Sequence, residues 1–285
     1  MSPAAPPTYR CGVCLIGFGG PAYEALRYLI THLNELQESL EFELVYVHPA
    51  DALVGRLTGA QPVAASDLRT LIEGFAQRQD EWNRKLEEGY GLEPDNPDTY
   101  VVVSLAELSS HYYLYGFGRT AVLALGEWNR SLAPPSLVEA IVTLILRVAA
   151  GAAAPAARDR AHLGTKGCLF DFNPSLETAR YKVLNSFICR GCREAMVDSG
   201  QAKLAEDLRE LLGKYWLGKA TDPIAPAGIC RKLGYDLYLT KGVKPTFREA
   251  AAAQLQGSWA SELLKVAGIV LAAALVLILG IKGTG

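Results

Sequence analysis

The sequence predicts an α/β fold, a mixed sheet with flanking helices, extended by a zinc-stabilised Cys-rich segment and a C-terminal transmembrane helix. Three observations predict it. Short apolar runs alternate with helix-length stretches through the N-terminal half, the order that builds a sheet with crossover helices. His162, Cys168, Cys189 and Cys192 follow one another at metal-ligand spacing. The sixteen residues from Val266 to Ile281 carry no charge and no strong polar group.

Taken in order, CGVCLIGF (11–18) is a short apolar run ending in glycines and reads as a buried strand. Pro21 opens a helix over 21–38, at the first position, where proline is favoured. FELVYV (42–47) is the next strand. A polar helix follows over about 64–88. Ser66 is its candidate cap, although Arg69 three residues on forms no capping box. YVVVSL (100–105) is a third strand, and YYLYGFG (112–118) and TAVLALG (120–126) are two more, turning through Gly116 and Gly118. SLVEAIVTLILRVA (136–149) is apolar enough to be a buried helix. The Ala-rich stretch 149–161 reads as a flexible loop, 203–214 as a solvated helix face, and 250–257 as part of a tether. The expected organisation is an α/β domain over 10–215 with a zinc loop at 162–192, a tether over 216–262, and a membrane helix over 263–281.

The metal pattern is His-x5-Cys, then twenty residues, then Cys-x2-Cys. Three thiols and one imidazole form a closed tetrahedral set for Zn2+, with no position left for a reactive water, so the zinc is expected to be structural. The alternative is that the thiols are buried small hydrophobes and His162 a surface residue. Gly164, Gly167 and Gly191 interleave the ligands, where a chain wrapping an ion needs conformational freedom.

The C-terminal run, lengthened by Leu263 and Leu264 with Lys265 snorkelling, reaches the lower length limit for a membrane span. Its complete lack of a polar face disfavours a buried core helix. The opening MSPAAPPTYR lacks a basic segment followed by an apolar core, so no signal peptide is expected. The expectation is a single-pass C-terminal anchor with the preceding domain in the cytoplasm, where six cysteines serve as ligands or core residues rather than disulfides. A net charge of -2, with basic residues interleaved among acids, gives no reason to expect nucleic acid.

Smaller signals carry less. Gly17-Phe18-Gly19-Gly20 lies between a strand and a helix, but it is not a dinucleotide fingerprint and reads as a tight turn. Cys11 and Cys14 are three apart on a strand, which points them to opposite faces. Cys230 reads as a buried hydrophobe. His32, His48 and His111 are scattered without partners at ligand spacing. Glu139 is a weak catalytic candidate that could equally cap or pair at its helix start. Asp171 is placed to orient the His162 ring.

The order of elements and the Cys segment resemble the archaemetzincins, a metzincin-type family of zinc proteases. The segment 112–128 is similar to that family's edge strand and its return. Residues 134–149 sit where the active-site helix would be, and 162–192 looks like its Cys-rich metal-binding tail. The resemblance covers roughly residues 10–200 and implies a sheet domain with one catalytic and one structural zinc. It departs where chemistry is decided. The family's His-Glu-x-x-His would place histidines on either side of Glu139, and this chain has Val138 and Val142 there. Glu139 would match the general base, with no metal-bound water to activate. His162 could match the third family histidine but is better used with the cysteines.

The expected protein is therefore a degenerate relative, a pseudo-protease. It would be a membrane-anchored, non-catalytic zinc-binding domain acting as a sensor, binding or effector module in stress or defence. A protein partner or homo-oligomer would gather its helices. Two rivals stand beside it: an active zinc metallohydrolase built from His162, Glu139 and Asp171, and a nucleotide-sensing Rossmann-like module using residues 17–20.

Overall fold

The computed structural model describes residues 8–110, 112–126, 136–163, 167–173, 179 and 186–280, with backbone alone at 257–264, 272–273 and 275–280. The chain forms two compact units, Met1–Val243 and Lys244–Gly285.

The first unit is built on a five-stranded sheet in the order β2-β1-β3-β5-β4. Its strands are β1 (Tyr9–Ile16), β2 (Leu40–Leu44), β3 (Thr99–Ser104), β4 (Leu114–Phe117) and β5 (Thr120–Ala124). β1, β2, β3 and β5 run parallel, and β4 pairs antiparallel with β5 at the edge. A mixed α/β sheet with flanking helices is thus present.

The two faces are covered by different helices. On one, α1 (Gly20–Leu36) and α5 (Leu137–Ala153) bury Leu26, Leu29, Ile141 and Ile145 against Cys11, Val13, Val101 and Leu123. On the other, α2 (Ala52–Leu57), α3 (Ala65–Ile72) and the start of α4 (Phe75–Gly89) bury Leu53, Leu68 and Phe75 against Cys14, Tyr100, Val102 and Val122. Cys11 and Cys14 fall in separate cores, as the pleat of a strand requires.

Several elements differ from the sequence reading. The polar helix of 64–88 is two helices, broken at Gly74, whose φ of 74° is a left-handed conformation suited to glycine. Ser66 lies inside α3 rather than capping it. The Ala-rich stretch after 149 is not a flexible loop. α5 runs through it to Ala153, and α6 (Pro155–Arg158) follows, because alanine is the strongest helix former. Beyond the metal segment come α7 (Arg190–Asp198), α8 (Ala202–Gly213), a 3-10 turn (Tyr215–Leu217) and α9 (Pro226–Lys232). Residues expected in a tether pack into the core here, including Leu217, Ala227, Cys230, Tyr235 and Leu237. The 203–214 face is not fully solvated either. Asp207 is buried and accepts from the Ser39 hydroxyl at 2.5 Å.

The second unit holds α10 (Phe247–Gly280). The expected transmembrane helix is overturned: among the described residues no helix is long and apolar enough to cross a membrane. The physical reason is length. The uncharged run at Val266–Ile281 has sixteen residues, about 24 Å of helix at 1.5 Å per residue, against a hydrocarbon core of about 30 Å. The rest of α10 carries Arg248, Glu249, Glu262 and Lys265 and cannot extend it.

Candidate metal centre

Two short backbone bridges set the metal segment. His162 pairs with Asp171, where the Phe172 N–H donates to the His162 carbonyl at 2.8 Å. Cys168 pairs with Phe187, where the Leu169 N–H donates to the Phe187 carbonyl at 2.7 Å. Gly167, at φ 85°, makes the turn into Cys168. Cys189 is the N-cap residue of α7, and Cys192 sits one turn in, buried with its Sγ 3.8 Å from the Ala157 carbonyl. Gly191 lies within α7, and Gly164 falls outside the described residues.

The ligand atoms of His162, Cys168, Cys189 and Cys192 all lie within 4.8 Å of one another, so the four could hold a metal ion. His162 Nε2 is 3.1 Å from Cys189 Sγ and 3.7 Å from Cys192 Sγ, and Cys168 Sγ is 3.9 Å from Cys192 Sγ. Zinc bonds of about 2.3 Å to sulfur and 2.0 Å to nitrogen, at tetrahedral angles, separate sulfurs by about 3.8 Å and sulfur from nitrogen by about 3.6 Å. The observed sulfur–nitrogen spacings fall on either side of that value and the 3.9 Å sulfur–sulfur spacing lies just above its own, so the donor set fits zinc in size as well as in chemistry.

Asp171, fully buried, orients the ring. Its Oδ1 lies 2.8 Å from His162 Nδ1, and its Oδ2 accepts from the Cys168 N–H at 3.1 Å. An ionised carboxylate only accepts, which puts the proton on Nδ1 and turns the Nε2 lone pair toward the thiols. The thiols differ in acidity. Burial pushes Cys168 and Cys192 up. Burial also acts to raise Cys189, but hydrogen bonds from the Cys192 and Gly191 backbone and from the neighbouring thiols outweigh it, and its thiol is lowered. A thiol at a helix N-terminus is the expected place for a ready thiolate.

No family model and no curated protein matches the chain. A solved structure is similar. The crystal structure of archaemetzincin from Methanopyrus kandleri shares 13% identity, over 68% of this chain and 96% of that one, with a TM-score of 0.38. That remote likeness leaves the metal centre to stand on its own geometry.

Glu139 lies apart from this cluster. Ser136 caps α5, its hydroxyl accepting from the Glu139 N–H at 3.0 Å. The Glu139 carboxylate is buried and pairs with Lys214 Nζ at 3.7 Å, while Oε2 has no hydrogen-bond partner among the described residues. Burial raises Glu139 and lowers Lys214, each tempered by the other's charge. Val138 and Val142 are both buried and offer no ligand atom. Pairing at the helix start is therefore what Glu139 does. Lys214 escaped the sequence reading, because its φ of 59° and its burial are set by tertiary packing.

The other signals fall as expected. Residues 17–20 form the turn between β1 and α1, with Gly17 at φ 81°. Cys230 is buried, His32 pairs with Glu35, and His48 packs on Trp82. His111 lies outside the described residues.

Proposed function

We propose that the first unit is a zinc-stabilised, non-catalytic binding module, a pseudo-protease in which His162, Cys168, Cys189 and Cys192 hold one structural Zn2+. The observation that carries this reading is the convergence of four ligand atoms within 4.8 Å, with Asp171 fixing the imidazole. Zinc supplies cross-linking energy there. The four protein donors fill a tetrahedral site and leave no place for an activated water. The non-catalytic role is supported by Val138 and Val142 beside Glu139, and by the engagement of that carboxylate with Lys214. Three thiolates persist as ligands in a reducing compartment, in keeping with a cytoplasmic location.

The test is metal content by elemental mass spectrometry on the purified full chain and its Cys189→Ser variant. One zinc per chain, lost in the variant along with several kcal/mol of stability, is the expected result. A second bound metal would favour a hydrolase instead. An unchanged melting temperature in the variant would sink the structural role.

A further inference from the structure

We propose that the groove between β4 and α5 is a binding site for a small oxyanion-bearing ligand with an apolar body, its carboxylate or phosphate held by Arg147 and Arg158. The groove encloses about 420 Å3 and is lined by both arginines, by Leu114, Phe117 and Phe170, and by the Gly116–Gly118 turn. That volume is in the range of small-molecule sites, as is the mixture of apolar walls with a few polar groups.

Arg147 is the reason to expect an anion. Its guanidinium has five donors in a fixed fork. Among the described residues its hydrogen bond goes to the Leu169 carbonyl, and no carboxylate lies within ion-pair distance. Burial lowers the guanidinium against the opposing influence of Tyr113, Asp171 and Cys168. A part-buried cation without an ion-pair partner is costly, and a bound oxyanion would remove that cost.

Arg158 supplies a second cation from another element. Its Cβ, Cγ and Cδ lie 3.6–3.7 Å from the point where a side chain at Gly151 would begin. The absence of that side chain lets the arginine stem lie along α5 and bring its head to the groove. Its Nε donates to Asp159 at 3.1 Å, which leaves the terminal nitrogens to face a ligand. Across the groove, Gly116 and Gly118 add no side chain of their own beside Leu114 and Phe117, with Gly118 at φ 58°. Two arginines lining one groove offer the planar, bidentate donors that carboxylate and phosphate accept. None of the four metal ligands lines the groove, although Phe170 and the Leu169 carbonyl that holds Arg147 belong to the metal segment.

The test titrates phenyl phosphate, benzoate and benzyl alcohol into the full chain by calorimetry. Saturable binding of at least one anion, and none of benzyl alcohol, is expected. Whichever anion binds tighter tells phosphate from carboxylate. Arg158→Ala, at an exposed position, should weaken binding about tenfold with an unchanged melting temperature, as for loss of one charge-assisted hydrogen bond. Arg147→Lys keeps the charge but loses the fork, and should weaken it as well. Failure of both anions to saturate, equal binding of benzyl alcohol, or wild-type affinity in both variants would overturn the proposal.

Discussion

Asp171→Asn isolates the orienting carboxylate from the metal ligands themselves. Asp171 is fully buried and serves two donors, His162 Nδ1–H at 2.8 Å and the Cys168 N–H at 3.1 Å. Asparagine has the same shape. Its carbonyl oxygen can still accept from His162, but its NH2 group then confronts the Cys168 amide, donor against donor. Loss of such an outer partner costs about 10- to 100-fold in metal affinity, which is about 1.4–2.7 kcal/mol. The stranded amide adds about 1–3 kcal/mol to the loss of folding stability. The zinc-loaded variant should therefore be about 2–6 kcal/mol less stable than the wild type. Zinc affinity is read by competition with a chromophoric chelator, and stability by melting with and without zinc. An Asn variant that binds zinc within about twofold of wild type would refute the idea that Asp171 sets the ligand geometry.

Four further outcomes are expected. Zinc needs thiolates, and burial raises Cys168 and Cys192, so binding should release protons and affinity should rise with pH; calorimetry in buffers of different ionisation enthalpy counts the protons, and a count of zero would contradict the assignment. Lys214→Met should cost about 3 kcal/mol by leaving the buried Glu139 carboxylate without its cation, and adding Glu139→Gln should recover most of the loss. Because the folded-state value of Glu139 lies above the ordinary 4.5, the native state holds its proton longer than the unfolded chain, and stability falls as pH rises through that window; denaturant melts across the window should show this slope, and Glu139→Gln should remove it. Gly228→Ala should abolish soluble expression, since a Cβ there would collide with the Asp222 carbonyl oxygen, whereas Gly89→Ala, with open space around it, should express normally.

Local chemistry made the strands and the metal set legible. Cys11 and Cys14 could be assigned to opposite faces from strand periodicity alone, and each lies in a different core. Ligand identity is a discrete signal, so His162 and the three cysteines stood out without any knowledge of the fold. What stayed hidden depends on distant partners. Nothing local marks Lys214 as buried, because Glu139 meets it only after α5 and α8 pack. The strand order and the place of β4 at the edge are equally non-local. Other misses were local signals misweighed. Gly74 stood in the middle of the polar helix with a breaker's propensity, and alanines after 149 were read as low complexity when propensity favours helix. The apolar run at 266–281 reaches only the lower length limit for a span even with Leu263 and Leu264, and among the described residues no helix is long and apolar enough to cross a membrane.

The metal segment is not an appendage to the sheet. Cys168, Leu169, Phe170, Cys192 and Met196 belong to the same buried cluster as the α5 residues Ile141, Ile145 and Ala149. Arg147, on that helix, also bonds to the Leu169 carbonyl. Among the described residues between α6 and α7, the backbone pairs through two isolated bridges, His162 with Asp171 and Cys168 with Phe187. A metal linking His162, Cys168 and α7 supplies cross-links at the point where the segment enters the core. Free energy released at the cluster is then spread into α5 packing, and α5 covers one face of the central strands. A metal bound at the cluster would act on the fold through these contacts with α5.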